Sequence, residues 1–154
     1  MPVRRPATTE DCRAIAQIWN RIIRETATTF TTAEKAAKDI PLTNTHVLAD
    51  GDTVLGFTTR APFRAGPGYL RTHEITIYLA EGARGGGLGV ALLRPLEEEA
   101  REAGIHSLIA GLAGKNAPAR AFFLRHGFIE VGLIPEAGWK FGDWHDLRLL
   151  QKRL

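Results

Sequence analysis

The part of the chain best suited by residue type to hold a ligand is the run Arg84-Gly85-Gly86-Gly87-Leu88-Gly89, set between a strand-like and a helix-like stretch. Glycines let backbone pass close to a ligand, and N–H groups at the start of a helix form a cradle for phosphate. Taken alone, the same run is equally a flexible turn. Other phosphate motifs fail here. A dinucleotide fingerprint starting at Gly85 would need Gly or Ala at Val90, and one starting at Gly87 would need it at Leu92. The stretch GLAGKN, residues 111–116, lacks the gap and the hydroxyl residue of a triphosphate loop. Nucleophiles are scarce: Ser107 stands in IHSLIAG and not in a nucleophile elbow, and Cys12 is the one cysteine. The histidines His46, His73, His106 and His126 show no i, i+4 pair and no partnering Cys or carboxylate, so no metal site is expected.

The elements that must position this loop follow from periodicity. A short strand near Val3–Arg5 precedes the box-like Thr8-Thr9-Glu10-Asp11. Ile15, Ile18, Trp19, Ile22 and Ile23 then recur at helical spacing, predicting a helix over 9–26. A second, weaker helix is expected over 32–39. HVLADGDTVLGFTTR reads as a hairpin turning at Asp50-Gly51. In LRTHEITIYL, residues 70–79, alternation places Ile75, Ile77 and Leu79 on one face and Thr72, Glu74, Thr76 and Tyr78 on the other. His73 then points opposite Glu74 unless the strand bulges. Leu88, Leu92, Leu96 and Ala100 mark a helix that stops at Gly104, with a kink expected at Pro95. HSLIAGL is a buried strand, 117–126 a helix closed by Gly127, and FIEVGLI with WHDLRLLQKRL a final strand pair. The whole, residues 1–154, reads as one domain of mixed α/β type.

Composition narrows the function classes. The chain has 20 Lys+Arg against 17 Asp+Glu, a net charge of +3. That excess is too small to indicate nucleic acid, and no aromatic-basic stripe adds to it. The longest apolar run is too short to span a bilayer, and no apolar segment follows the basic N-terminus, so no membrane partner or secretion signal is expected. A single cysteine fits a reducing cytoplasm.

The pattern Arg84-x-x-Gly87-x-Gly89, followed by Asn116-x-x-Ala119 and Gly127-Phe128, resembles the GNAT superfamily of acetyl-CoA-dependent N-acetyltransferases. THEITIYL, ARGGGLG, GKNAPARAFFLRHGF and EAGWKFGDWHDLRLLQ resemble its phosphinothricin and methionine sulfoximine acetyltransferase branch. The resemblance covers essentially the whole chain. It implies the GNAT fold, a mixed but mostly antiparallel sheet flanked by helices, in which a splayed strand pair holds acetyl-CoA. By the same resemblance the backbone of Ile77, Tyr78 and Leu79 and the loop Arg84, Gly85, Gly86, Gly87, Leu88 and Gly89 bind acetyl-CoA, Asn116 and Phe122 flank its pantetheine arm, and the chain forms a homodimer.

The expected reaction moves the acetyl group to the α-amine of a small amino acid or analogue by direct attack, with no metal. An alkylammonium cannot attack a thioester until it loses a proton, and the family places a carboxylate at Glu74, making it the candidate base. The bland reading of Glu74 is a solvated strand carboxylate or a partner of Arg71. A backbone N–H near Ile77 is the candidate donor to the developing oxyanion. Many family members carry Tyr, and some His, where this chain has Phe123, so the acid is left to Tyr78, to a water, or to release of the thiolate unprotonated. His145 matches a family position near the pocket and reads as a proton relay or a structural histidine. On the acceptor side, Thr28 and Phe30 match the family's substrate loop. Arg71 and Thr72 adjoin Glu74, and Arg60, Arg64 and Arg71 fall in a stretch without acidic residues that suits a carboxylate. The rivals are another acceptor (a polyamine, an antibiotic amine or a protein N-terminus), a non-catalytic acetyl-CoA sensor, and a general phosphate-binding domain.

Overall fold

The computed structural model describes residues 1–154. The chain runs β1 (Val3–Pro6), α1 (Cys12–Glu25), β2 (Thr45–Asp50), β3 (Thr53–Pro62), β4 (Thr72–Leu79), α2 (Leu88–Glu102), β5 (Ser107–Ala113), α3 (Ala117–Arg125), β6 (Ile129–Lys140) and β7 (Asp143–Arg153). The strands form one sheet in the order β1-β2-β3-β4-β5-β7-β6. Every neighbouring pair is antiparallel except β4 with β5. This is the mixed, mostly antiparallel sheet that the family resemblance implied.

Helix α1 forms because Ile15, Ile18, Ile22 and Ile23 return on one face, and all four are buried. Its entrance is fixed by Asp11, whose carboxylate accepts from the Thr8 N–H at 2.8 Å and from both guanidinium nitrogens of Arg5 at 2.7 and 3.0 Å. With Val47 and Phe57 this face of the sheet makes one core cluster. The opposite face packs Ile75, Leu93, Leu96, Leu108, Phe123 and Phe128 against α2 and α3. Helix α2 runs through Pro95 as one element.

The helix expected over 32–39 is absent; only a single 3-10 turn, Ala37–Asp39, occurs there. TTAEKAAKD offers no apolar stripe to bury, so helical propensity has no packing to support it. The Asn20 side chain instead captures the Lys35 backbone on both sides, donating to its carbonyl at 2.8 Å and accepting from its N–H at 2.7 Å.

What positions the site is the behaviour of β4 and β5. They pair in parallel at Thr72↔Ser107, His73↔Leu108 and Glu74↔Ile109, and pairing ends there although both strands continue. Beyond Glu74 the sheet is open, with free backbone groups on both lips. No bulge interrupts β4 against β3, so alternation holds and His73 points opposite Glu74. No helix is long and apolar enough to cross a membrane.

Candidate active site

The glycine loop is built to face an anion. Gly85, Gly86 and Gly87 have φ of 86°, 63° and 75°, a left-handed run that side chains with a Cβ rarely adopt. Gly87 caps α2, and the N–H groups of Gly86, Gly87, Gly89 and Val90 donate to no backbone carbonyl. No acidic residue occupies the first turn of α2, and Arg84 stands exposed beside it. Gly89 serves a different need. A Cβ there would stand 3.0 Å from the Phe122 ring, so its bareness lets α2 lie against α3. Asn116 caps α3, its side chain accepting from the Ala119 N–H at 3.3 Å. The loop follows β4, Asn116 follows β5, and Phe122 packs with Ile77 on one core cluster, so these residues lie about the end of the strand pair where Ile77, Tyr78 and Leu79 run beyond the last pair with β5. An extended arm ending in a pyrophosphate fits this arrangement: unpaired strand edge for the arm, free amides at a helix start for the phosphates.

Glu74 sits where β4 and β5 part. Its carboxyl is exposed at that opening and enters no ion pair, which removes the reading of a carboxylate paired with Arg71. The protein mass around it still withdraws enough water to raise its pKa above the ordinary carboxylate value, while Arg64 pulls the other way. Gly111 of β5 makes room for this carboxylate, since a Cβ there would lie 3.1 Å from Glu74 Oε2. Sequence reasoning passed over Gly111; the signal was a glycine inside a strand, which marks close approach.

Of the three arginines read as an anion-attracting edge, only Arg64 acts on Glu74. Arg60 reaches His73 at 3.0 Å on the other face of β4. Arg71 donates to the Gly104 carbonyl at 3.1 Å, which ties β4 to the end of α2. Thr72 shares the Glu74 face, half-buried.

Tyr78 packs on the α1 face against Trp19 and Phe57. Burial pushes its hydroxyl up to about 12; the Thr29 side chain opposes that rise and Glu74 adds to it. A phenol this weakly acidic holds its proton and can offer a hydrogen bond, but full transfer to a thiolate, with an ordinary thiol near ~8.5, runs uphill. Phe123 lies in the core against Phe128, ring centroids 5.0 Å apart, so this side chain, which has no proton to give, is part of the packing.

His145 is buried, with Nε2 3.1 Å from the Lys140 carbonyl. A carbonyl only accepts, so Nε2 carries the hydrogen, and in the neutral ring Nδ1 presents a buried lone pair without a partner. Phe30 stacks at 5.9 Å from this ring. Thr28 and Phe30 are half-buried in the segment leaving α1, with the Thr28 N–H donating to Thr26 Oγ1 at 3.2 Å. Lys140 and Gly138 of β6 touch this segment too, and neither was legible as part of the site.

Fold and site define an acyltransferase of the acetyl-CoA-binding kind, and comparison with known proteins agrees. Residues 12–128 match the model of the Acetyltransferase (GNAT) family, and the chain belongs to that family. It is 32% identical to a phosphinothricin N-acetyltransferase of Streptomyces coelicolor, over 97% of this chain and 95% of that one. Among solved structures, a GNAT superfamily phosphinothricin acetyltransferase from Sinorhizobium meliloti in complex with acetyl-CoA superposes with a TM-score of 0.93 at 28% identity, covering 99% of this chain and 88% of that one. A ribosomal-protein-alanine N-acetyltransferase from Brucella melitensis superposes with the same score at 35% identity, covering 99% of both chains. The chain is an acetyl-CoA-dependent N-acetyltransferase of mixed α/β fold.

Proposed function

We propose that this enzyme acetylates the α-amine of a small amino acid or analogue of the phosphinothricin, methionine sulfoximine or methionine sulfone type, with Glu74 as the base. The observation that carries the reading is the place of Glu74: a carboxylate of raised pKa at the mouth of the β4–β5 opening, beside one cation, Arg64. A base with elevated pKa accepts the ammonium proton more readily. Arg64 is the group suited to meet the acceptor's carboxylate.

Acetyl-CoA supplies the activated acyl group. Gly86, Gly87, Gly89 and Val90 would hold its pyrophosphate through their free amides, Arg84 adds charge, and Asn116 and Phe122 border the arm. The Ile77 N–H, past the last β4–β5 pair, is the donor assigned to the charge that develops on the acetyl oxygen. Tyr78 keeps its proton and serves by hydrogen bonding, so the thiolate leaves without full protonation by a side chain. His145, held by its Nε2 bond to the Lys140 carbonyl, offers the unpartnered Nδ1 as a proton relay at the far wall. Thr28, Phe30 and Thr72 line the acceptor side, and no metal enters.

We place the enzyme in the cytoplasm as one domain over residues 1–154 and as a homodimer. Strand β6, an edge strand with Ile129, Val131, Leu133 and Ile134 exposed, supports the pairing of two chains. The similarity to a ribosomal-protein-alanine acetyltransferase favours a second reading, in which the acceptor is a peptide N-terminus. CoA thiol release decides between them, measured with phosphinothricin, methionine sulfoximine, methionine sulfone, ordinary amino acids, polyamines and an alanine-first peptide. The expected result is turnover on the amino-acid analogues that falls at least about a hundredfold in Glu74→Gln, within the range of a lost general base. Turnover on the peptide alone would replace the acceptor, tight acetyl-CoA binding with no turnover would make the protein a sensor, and an unchanged rate in Glu74→Gln would remove the base.

A further inference from the structure

The segment between α1 and β2 leaves the helix at Thr26 and crosses to the far end of the sheet. Its first residues are tied locally: Thr26 Oγ1 donates to the Ile22 carbonyl at 2.7 Å and accepts from the Thr28 N–H. Its later part is held by Asn20 at Lys35. What holds Thr29 and Phe30 comes from 111 residues further along the chain. Lys140, only 2% exposed, donates from Nζ to the Thr29 carbonyl at 2.8 Å. No carboxylate compensates this buried ammonium, whose pKa is lowered by burial alone. Two residues earlier, Gly138 presents bare backbone to the Phe30 ring, and a Cβ at that position would overlap the ring. Gly138 faces His145 across the β6–β7 ladder, and His145 in turn stacks on Phe30 and donates to the Lys140 carbonyl.

An uncompensated buried ammonium is costly, and a lysine that served only packing would be replaced by an apolar side chain at no loss of stability. Here its hydrogen bond goes to the backbone of the segment that carries Thr28 and Phe30, while the ring of Phe141, its chain neighbour, lies 5.2 Å from Nζ and offers only its face. We infer that Lys140 is a positioning residue which, with Gly138 as the seat for Phe30, clamps the Thr29–Phe30 segment onto β6 and so fixes the wall of the acceptor pocket. The inference rests on the reading that this segment lines the acceptor side. It follows that the clamp sets acceptor affinity and leaves acetyl-CoA binding alone, because Lys140 lies outside the glycine loop and outside the Ile77–Leu79 edge.

The test uses Lys140→Met, which keeps length and removes the donor, and Gly138→Ala, which dislodges Phe30 while keeping the ammonium. Each is expected to lower kcat/KM for the acceptor by about tenfold or more, the factor for one lost hydrogen bond to a charged group, through KM more than kcat. Acetyl-CoA Kd should stay within about twofold, and melting of Lys140→Met should not fall. In both variants trypsin should cut after Lys35 faster than in the wild type, as the freed segment opens. Phe30→Ala should remove the added defect of Gly138→Ala, because the clash requires the ring. An acceptor kcat/KM and a trypsin rate at wild-type values in Lys140→Met would overturn the clamp, as would a defect confined to acetyl-CoA binding. A wild type that turns over no acceptor would defeat the proposed function instead, and the trypsin comparison would still decide whether Lys140 holds the segment.

Discussion

Glu74 and Gly111 show how a catalytic position depends on a residue with no chemistry of its own. The carboxylate stands over Gly111 because nothing projects from that side of β5, and a methyl group there would come within 3.1 Å of Oε2. That is tighter than side chains ordinarily tolerate, so in Gly111→Ala the carboxylate swings aside by a few tenths of an ångström or more. Misplacing a reacting group on the order of 1 Å costs roughly a hundredfold in rate, so a loss of about tenfold is expected for this smaller shift. It should appear in kcat with acetyl-CoA Kd unchanged, measured by thiol release and by equilibrium titration. Alternation in THEITIYL put Glu74 on the polar face of its strand, and the family resemblance made it the candidate base. Gly111, Lys140 and Gly138 were not legible in the sequence, because each matters through a partner 37 or more positions away; a glycine inside a strand marks a close approach at Gly111 but does not say to what. Arg60 reaches His73 on the other face of β4 and Arg71 bonds the Gly104 carbonyl, because charge along a sequence does not say which partner a side chain meets.

At the scale of elements, periodicity succeeded wherever burial enforces it and failed where it does not. Helices α1, α2 and α3 and the hairpin of β2 and β3 were legible because their apolar residues must face the sheet. The stretch 32–39 was read as a weaker helix, and it has no buried face to hold one. Strand β7 was found over nearly its full length, whereas β6 was cut short at Ile134, since it continues to Lys140 and turns through Phe141 and Gly142, both at positive φ. That extra length carries the clamp on Phe30. It also leaves β6 as a long outer strand exposing Ile129 at 55%, Val131 at 50%, Leu133 at 47% and Ile134 at 45%. Such an edge is a template for association unless a partner covers it. Sedimentation of the 16.9 kDa chain is therefore expected to give twice that mass. Leu133→Asp should shift it to the single-chain mass with Lys140 still buried. A wild-type chain sedimenting as a monomer at tens of micromolar would remove the dimer.

Across the whole molecule, a network of charge joins five elements beneath β4, on the side away from Glu74. Arg4 of β1 makes a bidentate pair with Glu99 of α2 at 2.6 and 2.9 Å, His46 of β2 lies 3.4 Å from the same carboxylate, and Arg60 of β3 donates to Nδ1 of His73 on β4. Burial comes first in lowering the pKa of both histidines, and the neighbouring Arg4 and Arg60 for His46, and Arg60 for His73, lower them further; Glu99 opposes this at His46 and the Leu70 backbone at His73. The folded chain therefore holds both rings neutral, while the unfolded chain takes up protons near the ordinary ~6.5. The sign follows: this contribution is complete above ~6.5 and is lost as pH falls from there through the lower folded values. Asp11 adds a second, separate loss. Its carboxyl is held at about 2, from 3.8, chiefly by the hydrogen bonds from Arg5, so its contribution, about 2 kcal/mol, is complete above 3.8 and disappears as pH falls toward 2. Denaturant unfolding at a series of pH values should thus show stability declining in two steps, one starting just below neutrality and one below about pH 4. His73→Gln, which can still accept from Arg60, should flatten only the first step, and Asp11→Asn only the second. A stability profile level from pH 7 to pH 5 would show that the two rings gain protons in the folded state as easily as in the unfolded one, and the network would then have no hold on them.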